Sequence, residues 1–223
     1  MATFENASAA ALLERWRALD QKSLQRIEAM ARAGARLFGE RGYLNVTMED
    51  IAGESGFSKG GVYHYFQSKE EILFFVVNMT IDELLRGLPE ELCVTAPGRN
   101  RIRLLMKRQL DYYYGHLCEV KTLLNDRKLL SRELQQLIDL KEQRYFHIVE
   151  AELGHLFGFT DPGRLATVTF AFFGLCNWIP SWYRPGGPLG IDEICDINFA
   201  IFMGGISSLA VRAPAGASEQ QGL

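Results

Sequence analysis

The amino-acid sequence predicts an all-α protein of about nine helices, to which an extra N-terminal helix can be added. Three observations predict this fold class. Apolar residues recur at helical spacing in most segments, strand-like alternation is sustained nowhere, and the first proline is Pro89. The predicted helices group into a three-helix head that contains a helix-turn-helix, followed by a larger helical body.

Composition excludes several classes of protein. The chain has 223 residues and a formal net charge of −3, so it is not a generally basic nucleic-acid binder. No apolar run reaches the roughly 18 residues that a membrane span needs, and no signal segment is recognisable. The four cysteines are widely spaced without a C-x-x-C pair, which predicts reduced thiols. We therefore expect a cytoplasmic protein without membrane contact, metal site or cofactor.

The beginning of the chain has two interpretations. Residues 8–20 carry apolar residues at helical spacing, including Trp16, and predict a helix packed on the head. The alternative is an arm that contacts DNA, with Arg15, Arg17 or Lys22 as the contacting residues.

Two short helices joined by a tight turn follow the amphipathic helix predicted over residues 21–41. Thr47 is placed to cap the first short helix, and Ser58 is placed to cap the second. Gly56 permits the left-handed conformation that ends the first of them. These three helices make the predicted head.

The second short helix has an outward face of small, cationic and hydrogen-bonding groups, which suits the major groove of DNA. Its charge surroundings are mixed. Residues 1–75 hold nine Lys and Arg against ten Asp and Glu, whereas residues 55–69 carry Lys59 and Lys69 and no acid. Any DNA footprint is therefore local, and a modest salt dependence is expected.

A helix over residues 69–87 begins the body. Its apolar residues are too many for one stripe, so we interpret it as a bridge between head and body. A connection is predicted over 87–98, and Pro180 is expected to bend or end a later helix near Ile179. The remaining helices are predicted at four places: 99–120, 126–158, 164–183 and 192–210.

Three divisions of the chain follow from these elements. The N-terminal extension and the helix-turn-helix take residues 1–68, the helical body takes residues 69–211, and 212–223 form a disordered tail. Catalysis is not expected. The four histidines are scattered along the chain, and no nucleophile or Gly-rich phosphate loop accompanies them, so no catalytic residue is assigned.

Residues 30–75 resemble the DNA-binding domain of the TetR family of repressors. The resemblance is carried by three groups of residues: Leu37-Phe38 before Gly42, Gly56-Phe57-Ser58-Lys59-Gly60, and Val62-Tyr63-His64-Tyr65-Phe66. It implies that residues 1–68 contain the DNA-binding domain and that residues 69–211 form the ligand-binding and dimerisation domain. It also implies a homodimer that binds double-stranded operator DNA and a small-molecule effector. The residues predicted to contact DNA, most of them by position in that family, are Thr47, Ser58, Lys59, Gly60, Gly61, Tyr63, His64, Tyr65 and Lys69.

The segment from Asn177 to Leu189 resembles a segment of TetR regulators that sense acyl-CoA thioesters, although Gly190 stands where those relatives usually carry serine. The resemblance implies a repressor that an acyl-CoA releases from its operator. An apolar tunnel lined by aromatic residues, with cations for the CoA phosphates, fits that ligand class. The predicted ligand contacts are Tyr112, Arg144, Phe173, Asn177, Trp178, Trp182, Tyr183 and Arg184.

Two further expectations concern the effector and the assembly. The alternative effector is an aromatic or drug-like amphiphile, because aromatic residues at helical spacing serve either ligand class. The last two helices are apolar on more than one face, and Gly204 and Gly205 permit close approach of another helix. These features predict a homodimer formed through the last two helices.

Overall fold

The computed structural model describes the backbone of residues 9–210 and the side chains of residues 9–208. Throughout the first of these ranges the regular elements are helices and no strand occurs, which confirms the all-α prediction. The disordered tail predicted for residues 212–223 lies outside the described residues. The helices are α1 (Ala9–Arg17), α2 (Gln21–Arg41), α3 (Met48–Ser55), α4 (Lys59–Tyr65), α5 (Lys69–Leu85), α6 (Leu88–Val94), α7 (Arg99–Gly115), α8 (Leu117–Asp126), α9 (Arg132–Phe157), α10 (Pro162–Asn177), α11 (Ile179–Trp182) and α12 (Ile191–Ala210).

The described residues contain more helices than the expected nine because several predicted segments are divided or extended. The extra N-terminal helix is α1. The predicted connection over 87–98 contains α6, with Pro89 in its first turn, where a missing N–H costs nothing. His116 has a non-helical backbone (φ −138°, ψ 42°) and separates α7 from α8. Pro180 belongs to the short helix α11, and α10 ends before it, as predicted.

The chain forms two compact units. Unit 1 comprises Met1–Leu88 and Tyr112–Tyr145, and unit 2 comprises Pro89–Asp111 and Phe146–Leu223. The bridge helix α5 belongs to unit 1 together with the three helices of the head. The domain boundary expected between residues 68 and 69 differs from this division and stays a prediction about function.

A close helix crossing organises the core of unit 1. A Cβ atom added to Gly34 of α2 would meet Cγ2 of Ile72 of α5 at 2.9 Å, so only glycine permits this approach of the two helices. Phe74 of the same helix α5 is fully buried, and Trp16 of α1 packs its indole against the rings of Phe66 and Phe75. The head, α1 and α5 therefore share one apolar core.

Unit 2 has its own core around α10 and α12. The Phe172 and Phe202 rings meet edge to face with centroids 5.6 Å apart. Arg101 Nη1 donates to Glu152 Oε1 at 3.0 Å and joins α7 to α9 within this unit. Cys176 and Cys195 are buried in the same unit.

All four cysteines are free thiols, and their surroundings differ. Cys93 of α6 is exposed, and Cys118 of α8 is half-buried. Burial raises the pKa of the Cys118, Cys176 and Cys195 thiols above the ordinary value.

Two features are absent from the described part of the chain. None of its helices is long and apolar enough to cross a membrane. Residues 9–208 also hold no group of three or more His, Cys, Asp or Glu side chains arranged to bind a metal ion.

Candidate nucleic-acid interface and effector contacts

Local hydrogen bonds set the boundaries of α3 and α4. Thr47 Oγ1 accepts from the Asp50 N–H at 3.1 Å, and Asp50 Oδ2 accepts from the Thr47 N–H at 2.8 Å, which completes a capping box. Gly56 ends α3 with φ +73°, in the left-handed region that favours glycine. Ser58 Oγ then accepts from the Gly61 N–H at 3.1 Å and caps α4. These caps confirm the predicted helix-turn-helix boundaries.

The helix α4 presents a polar face to solvent. Val62 and Phe66 are fully buried and hold the helix on the core, while Tyr63 is 42% exposed and His64 is exposed. A Cβ atom added to Gly60 would meet nothing within 4 Å beyond the backbone of its own helix, so this backbone is open to a large partner. The predicted DNA contacts Thr47, Ser58, Lys59, Gly60, Tyr63 and His64 are all exposed, and Gly61 is half-buried.

An ion pair spans the helix-turn-helix. The Lys59 ammonium group contacts the Glu49 carboxylate of α3 and lies 5.8 Å from the centroid of the Tyr63 ring. The hydrogen bond to Glu49 raises the pKa of Lys59, and the same bond lowers the pKa of Glu49. Lys59 is therefore charged and exposed on the face predicted to contact DNA, and Glu49 is the group that a phosphate would replace.

Tyr65 and Lys69, also predicted to contact DNA, have partners inside the head. The Tyr65 hydroxyl donates to Ser23 Oγ at 3.3 Å. Lys69 Nζ donates to the carbonyl oxygens of Tyr43 and Val46, each at 2.6 Å, and burial lowers the pKa of Lys69. DNA contacts by these two side chains stay predictions, and they require Tyr65 and Lys69 to exchange hydrogen bonds made inside the head.

Two of the predicted ligand contacts, Tyr112 and Arg144, belong to unit 1. Burial raises the pKa of Tyr112 to about 12, and its ring stacks on that of His116 with centroids 4.3 Å apart. Arg144 lies exposed on α9. Tyr112 is thus a largely desolvated phenol that also forms a hydrogen bond with Thr80, whereas Arg144 offers a solvated cation.

The other predicted ligand contacts belong to unit 2. Phe173 stacks on Phe146 with centroids 5.8 Å apart and an interplanar angle of 17°. Asn177 Oδ1 accepts from Gln109 Nε2 at 2.9 Å. Phe146 and Gln109 contact the candidate ligand residues, but the sequence alone did not predict these two neighbours. Gln109 is 1% exposed among apolar residues of α7, and this interruption of an apolar stripe is the signal that identifies it.

The end of the segment that resembles acyl-CoA sensors is largely on the surface of its unit. Trp178 is 69% exposed and Trp182 is 49% exposed, whereas Tyr183 is 4% exposed. Arg184 is exposed and donates through Nη1 to the carbonyl oxygen of Tyr183 at 3.1 Å. Both tryptophans are accessible to solvent in the described part of unit 2, and their contact with an effector stays a prediction.

An apolar groove lies between α10 and α12. Its volume is about 520 Å³, and one side of it includes Ile201, which is 59% exposed. Phe170 of α10 is 65% exposed and Ile197 of α12 is 43% exposed, so apolar side chains also lie outside the groove on the same two helices. The groove is lined by Val168, Ala171, Gly174, Leu175, Ile201, Phe202, Gly205 and Ile206.

Comparison with protein families gives two matches. The family described as "Bacterial regulatory proteins, tetR family" matches residues 31–75, and the family described as "Tetracyclin repressor-like, C-terminal domain" matches residues 95–206. The first match contains all of α3 and α4, and the second contains α7 to α11.

Individual relatives agree with these matches. The HTH-type transcriptional repressor KstR2 of Mycobacterium tuberculosis is 30% identical over 189 residues, which cover 79% of this chain and 90% of that protein. The structure of the ketosteroid transcriptional regulator KstR2 of the same species has a TM-score of 0.71 and 26% identity, covering 81% of this chain and 94% of that chain. The structure of AibR in complex with isovaleryl coenzyme A and operator DNA has a TM-score of 0.69 and 27% identity. The match covers 79% of this chain and 97% of that chain.

Proposed function

Because the chain belongs to the TetR family of bacterial regulatory proteins, we propose that it is a homodimeric repressor released from its operator by an acyl-CoA thioester. The DNA-binding part of this proposal is carried by the exposed polar face of α4. Lys59, Tyr63 and His64 lie on that face, and Val62 and Phe66 hold its opposite side on the core. Such a helix can enter the major groove with its hydrogen-bonding groups outward.

The effector class is supported by similarity and by the chemistry of the predicted contacts. AibR, which is 27% identical over most of its length, was solved with isovaleryl coenzyme A and operator DNA. In this chain, Phe173 belongs to a stacked aromatic cluster suited to an acyl chain, and Arg144 and Arg184 are exposed cations suited to phosphates. An acyl-CoA combines both chemistries in one molecule.

The dimer is proposed from the apolar surface of α10 and α12. An exposed groove with Phe170, Ile197 and Ile201 around it needs a cover in water, and a second copy of the same surface is the commonest cover. A dimer would present two α4 helices to successive major grooves about 34–36 Å apart.

Release requires that the effector bind best to a conformation in which the two heads no longer match the operator. A coupling free energy of a few kcal/mol, or about 100-fold in affinity, is sufficient. We assign the transmission of the conformational change to α5. Ser68 caps the first turn of this helix next to the head, and the helix is buried along most of its length.

The effector is tested by a mobility-shift titration on a duplex recovered by in vitro selection with the wild-type protein. Acyl-CoAs of increasing chain length are compared with the free acids, with coenzyme A alone and with cationic aromatic dyes. We expect release of about 100-fold in affinity by a thioester and little effect of the acid alone. Flat affinity throughout the acyl-CoA series would reject this effector class, and release by the dyes would favour the amphiphile alternative.

The predicted phosphate contacts give a more specific prediction. Alanine at Arg144 or at Arg184 should weaken binding of the acyl-CoA about tenfold, because each substitution removes a charge-assisted hydrogen bond to phosphate. Operator affinity without effector should not change. Calorimetric titration measures the first effect, with Arg132→Ala as the matched control at another exposed position of the helix that carries Arg144. Equal affinities for all three variants would contradict these contacts.

A further inference from the structure

Arg15 of α1 occupies a position between the helix α4 and the beginning of α5. Its Nη2 atom donates to the carbonyl oxygen of Tyr65 at 3.1 Å and to Glu71 Oε2 at 2.5 Å. Tyr65 is the last residue of α4, so its carbonyl is one that the helix itself leaves without an N–H partner. A cation at this end also interacts favourably with the helix dipole.

Glu71 makes this contact more than a surface ion pair. The residue is 7% exposed, and Oε2 also accepts from the Gln67 N–H at 3.0 Å in the link between α4 and α5. Removing the cation from such a pair leaves a buried charge without compensation, which is costly. The Arg15–Glu71 pair therefore holds both the last carbonyl of α4 and the backbone that follows it.

The helix α1 is fixed along its length, so it provides a firm support for Arg15. The Trp16 ring contacts Phe66 and Phe75 with centroids 6.0 Å and 4.9 Å away. At the other end of α1, the Ala9 N–H donates to Glu133 Oε1 of α9 at 2.9 Å. An arm that reaches for DNA would not be tied down at both ends.

The helix α4 needs such support because it is short. It has seven residues, a length at which an isolated helix is unstable in water and its direction depends on tertiary contacts. Its N-terminal end is held by the Ser58 cap, and its C-terminal end is held by Arg15. A small rotation of α4 would displace Tyr63 and His64 from the bases and phosphates they are proposed to contact.

We propose that Arg15 is a positioning residue for DNA binding: through Glu71 and the Tyr65 carbonyl it fixes the orientation of α4 on the operator without contacting DNA itself. This inference rests on the DNA binding proposed above and not on the nature of the effector. It gives α1 a role that the helix-turn-helix alone does not require.

The test compares Arg15→Gln with Arg32→Gln, which makes the same charge change at an exposed position of α2 that is not among the predicted DNA contacts. Affinity for the selected duplex is measured without effector over a range of salt concentrations, after thermal unfolding has shown each variant to be folded at the assay temperature. We expect Arg15→Gln to bind about tenfold more weakly than Arg32→Gln, with the slope of log affinity against log salt unchanged.

The salt slope separates positioning from direct contact. A side chain that contacts a phosphate releases about one counterion, so its loss lowers the slope by about one. A slope lowered in this way by Arg15→Gln would overturn the proposal, and so would an affinity equal to that of Arg32→Gln. A wild-type protein that selects no duplex at all would reject the DNA binding on which the inference rests.

A double-variant cycle tests the route through Glu71. If Arg15 acts through that carboxylate, Glu71→Gln and the double variant Arg15→Gln/Glu71→Gln should each lose about tenfold, with no multiplication of the two losses. A loss of about one hundredfold in the double variant would overturn this route. Should Arg15→Gln not fold, Arg15→Lys keeps the charge but lacks the guanidinium fork, and it should lose affinity severalfold; full affinity would overturn the proposal.

Discussion

At the scale of single residues, the candidate DNA interface is adjusted by charges that the head supplies to itself. Glu49 lies at the beginning of α3 and holds the Lys59 ammonium group while both side chains stay more than half exposed. A DNA phosphate and the Glu49 carboxylate compete for the same cation. The free head is thus partly neutralised on the face where its affinity is expected to arise.

Replacing Glu49 by Gln should increase operator affinity. The substitution frees Lys59 and removes an anion near the DNA, and we expect a gain of about threefold to fivefold together with a steeper salt dependence. Glu40→Gln makes the same charge change on an exposed part of α2 and is the matched control. Affinity measured by fluorescence anisotropy at several salt concentrations checks this prediction, and equal gains in both variants would reduce it to an effect of net charge.

Thr47 has a structural role that can be separated from its predicted phosphate contact. Thr47→Ala removes the acceptor for the Asp50 N–H, so it should lower the free energy of unfolding by about 1 kcal/mol. Thr47→Ser keeps the hydroxyl group and should retain most of that stability. Urea unfolding of the two variants measures the difference. Equal stabilities would show that the capping box contributes little.

At the scale of elements, the packing of α2 on α5 depends on a single missing side chain. The Ile72 side chain fills the space beside Gly34. A Cβ atom added to Gly39 on the same helix would meet nothing within 4 Å beyond the backbone of that helix. The two glycines therefore have opposite expectations. One permits a close approach, and the other only lowers the helical propensity of α2.

Gly34→Ala should destabilise the protein by about 1–3 kcal/mol, because the added methyl group overlaps the Ile72 side chain. Gly39→Ala should stabilise it by up to about 1 kcal/mol through the better helical propensity of alanine. Denaturant unfolding of both variants gives the two signs directly. A stabilising Gly34→Ala would mean that Ile72 moves aside without cost.

The elements that sequence predicts best are those defined by neighbouring residues. The caps at Thr47 and Ser58 and the left-handed Gly56 all act within three or four positions along the chain, and the boundaries of α3 and α4 are confirmed. The sequence leaves Arg15 open as a DNA contact because its partner Glu71 lies 56 positions away. Long-range pairing of this kind leaves no periodic signal in the sequence.

The candidate effector residues show a second limit of the same kind. Aromatic content predicts a lined tunnel, but a tryptophan at helical spacing is equally compatible with a surface position. Trp178 and Trp182 are substantially exposed in the structure, whereas Tyr183 beside them is buried. Only the direction in which each ring points distinguishes the two cases, and that direction depends on tertiary packing that sequence spacing does not encode.

At the scale of the whole molecule, the proposed dimer determines whether the head can act. A single α4 presents few cations, and the formal net charge of the chain is −3. Two heads on one DNA face combine their separate contacts into one binding event with a high effective concentration. Loss of the second copy should therefore weaken operator binding far more than loss of any single contact.

Ile201→Arg places a charge beside the exposed groove of α10 and α12 and should prevent dimerisation. We expect a monomer in sedimentation equilibrium and operator affinity at least about 100-fold lower. Val94→Arg is the control, because it puts the same charge at an 86% exposed valine of α6 in the same unit. A dimeric Ile201→Arg protein would place the interface elsewhere.

The unequal surroundings of the four thiols provide a site for a spectroscopic probe. Maleimides react with the thiolate form of cysteine, so the exposed Cys93 should be modified first at neutral pH, ahead of the buried Cys176 and Cys195. The half-buried Cys118, whose pKa is also raised, should react more slowly than Cys93. Each copy would then carry one label on α6 without any engineered cysteine. In a homodimer, the distance between two such labels would report the response to an effector directly, independently of DNA.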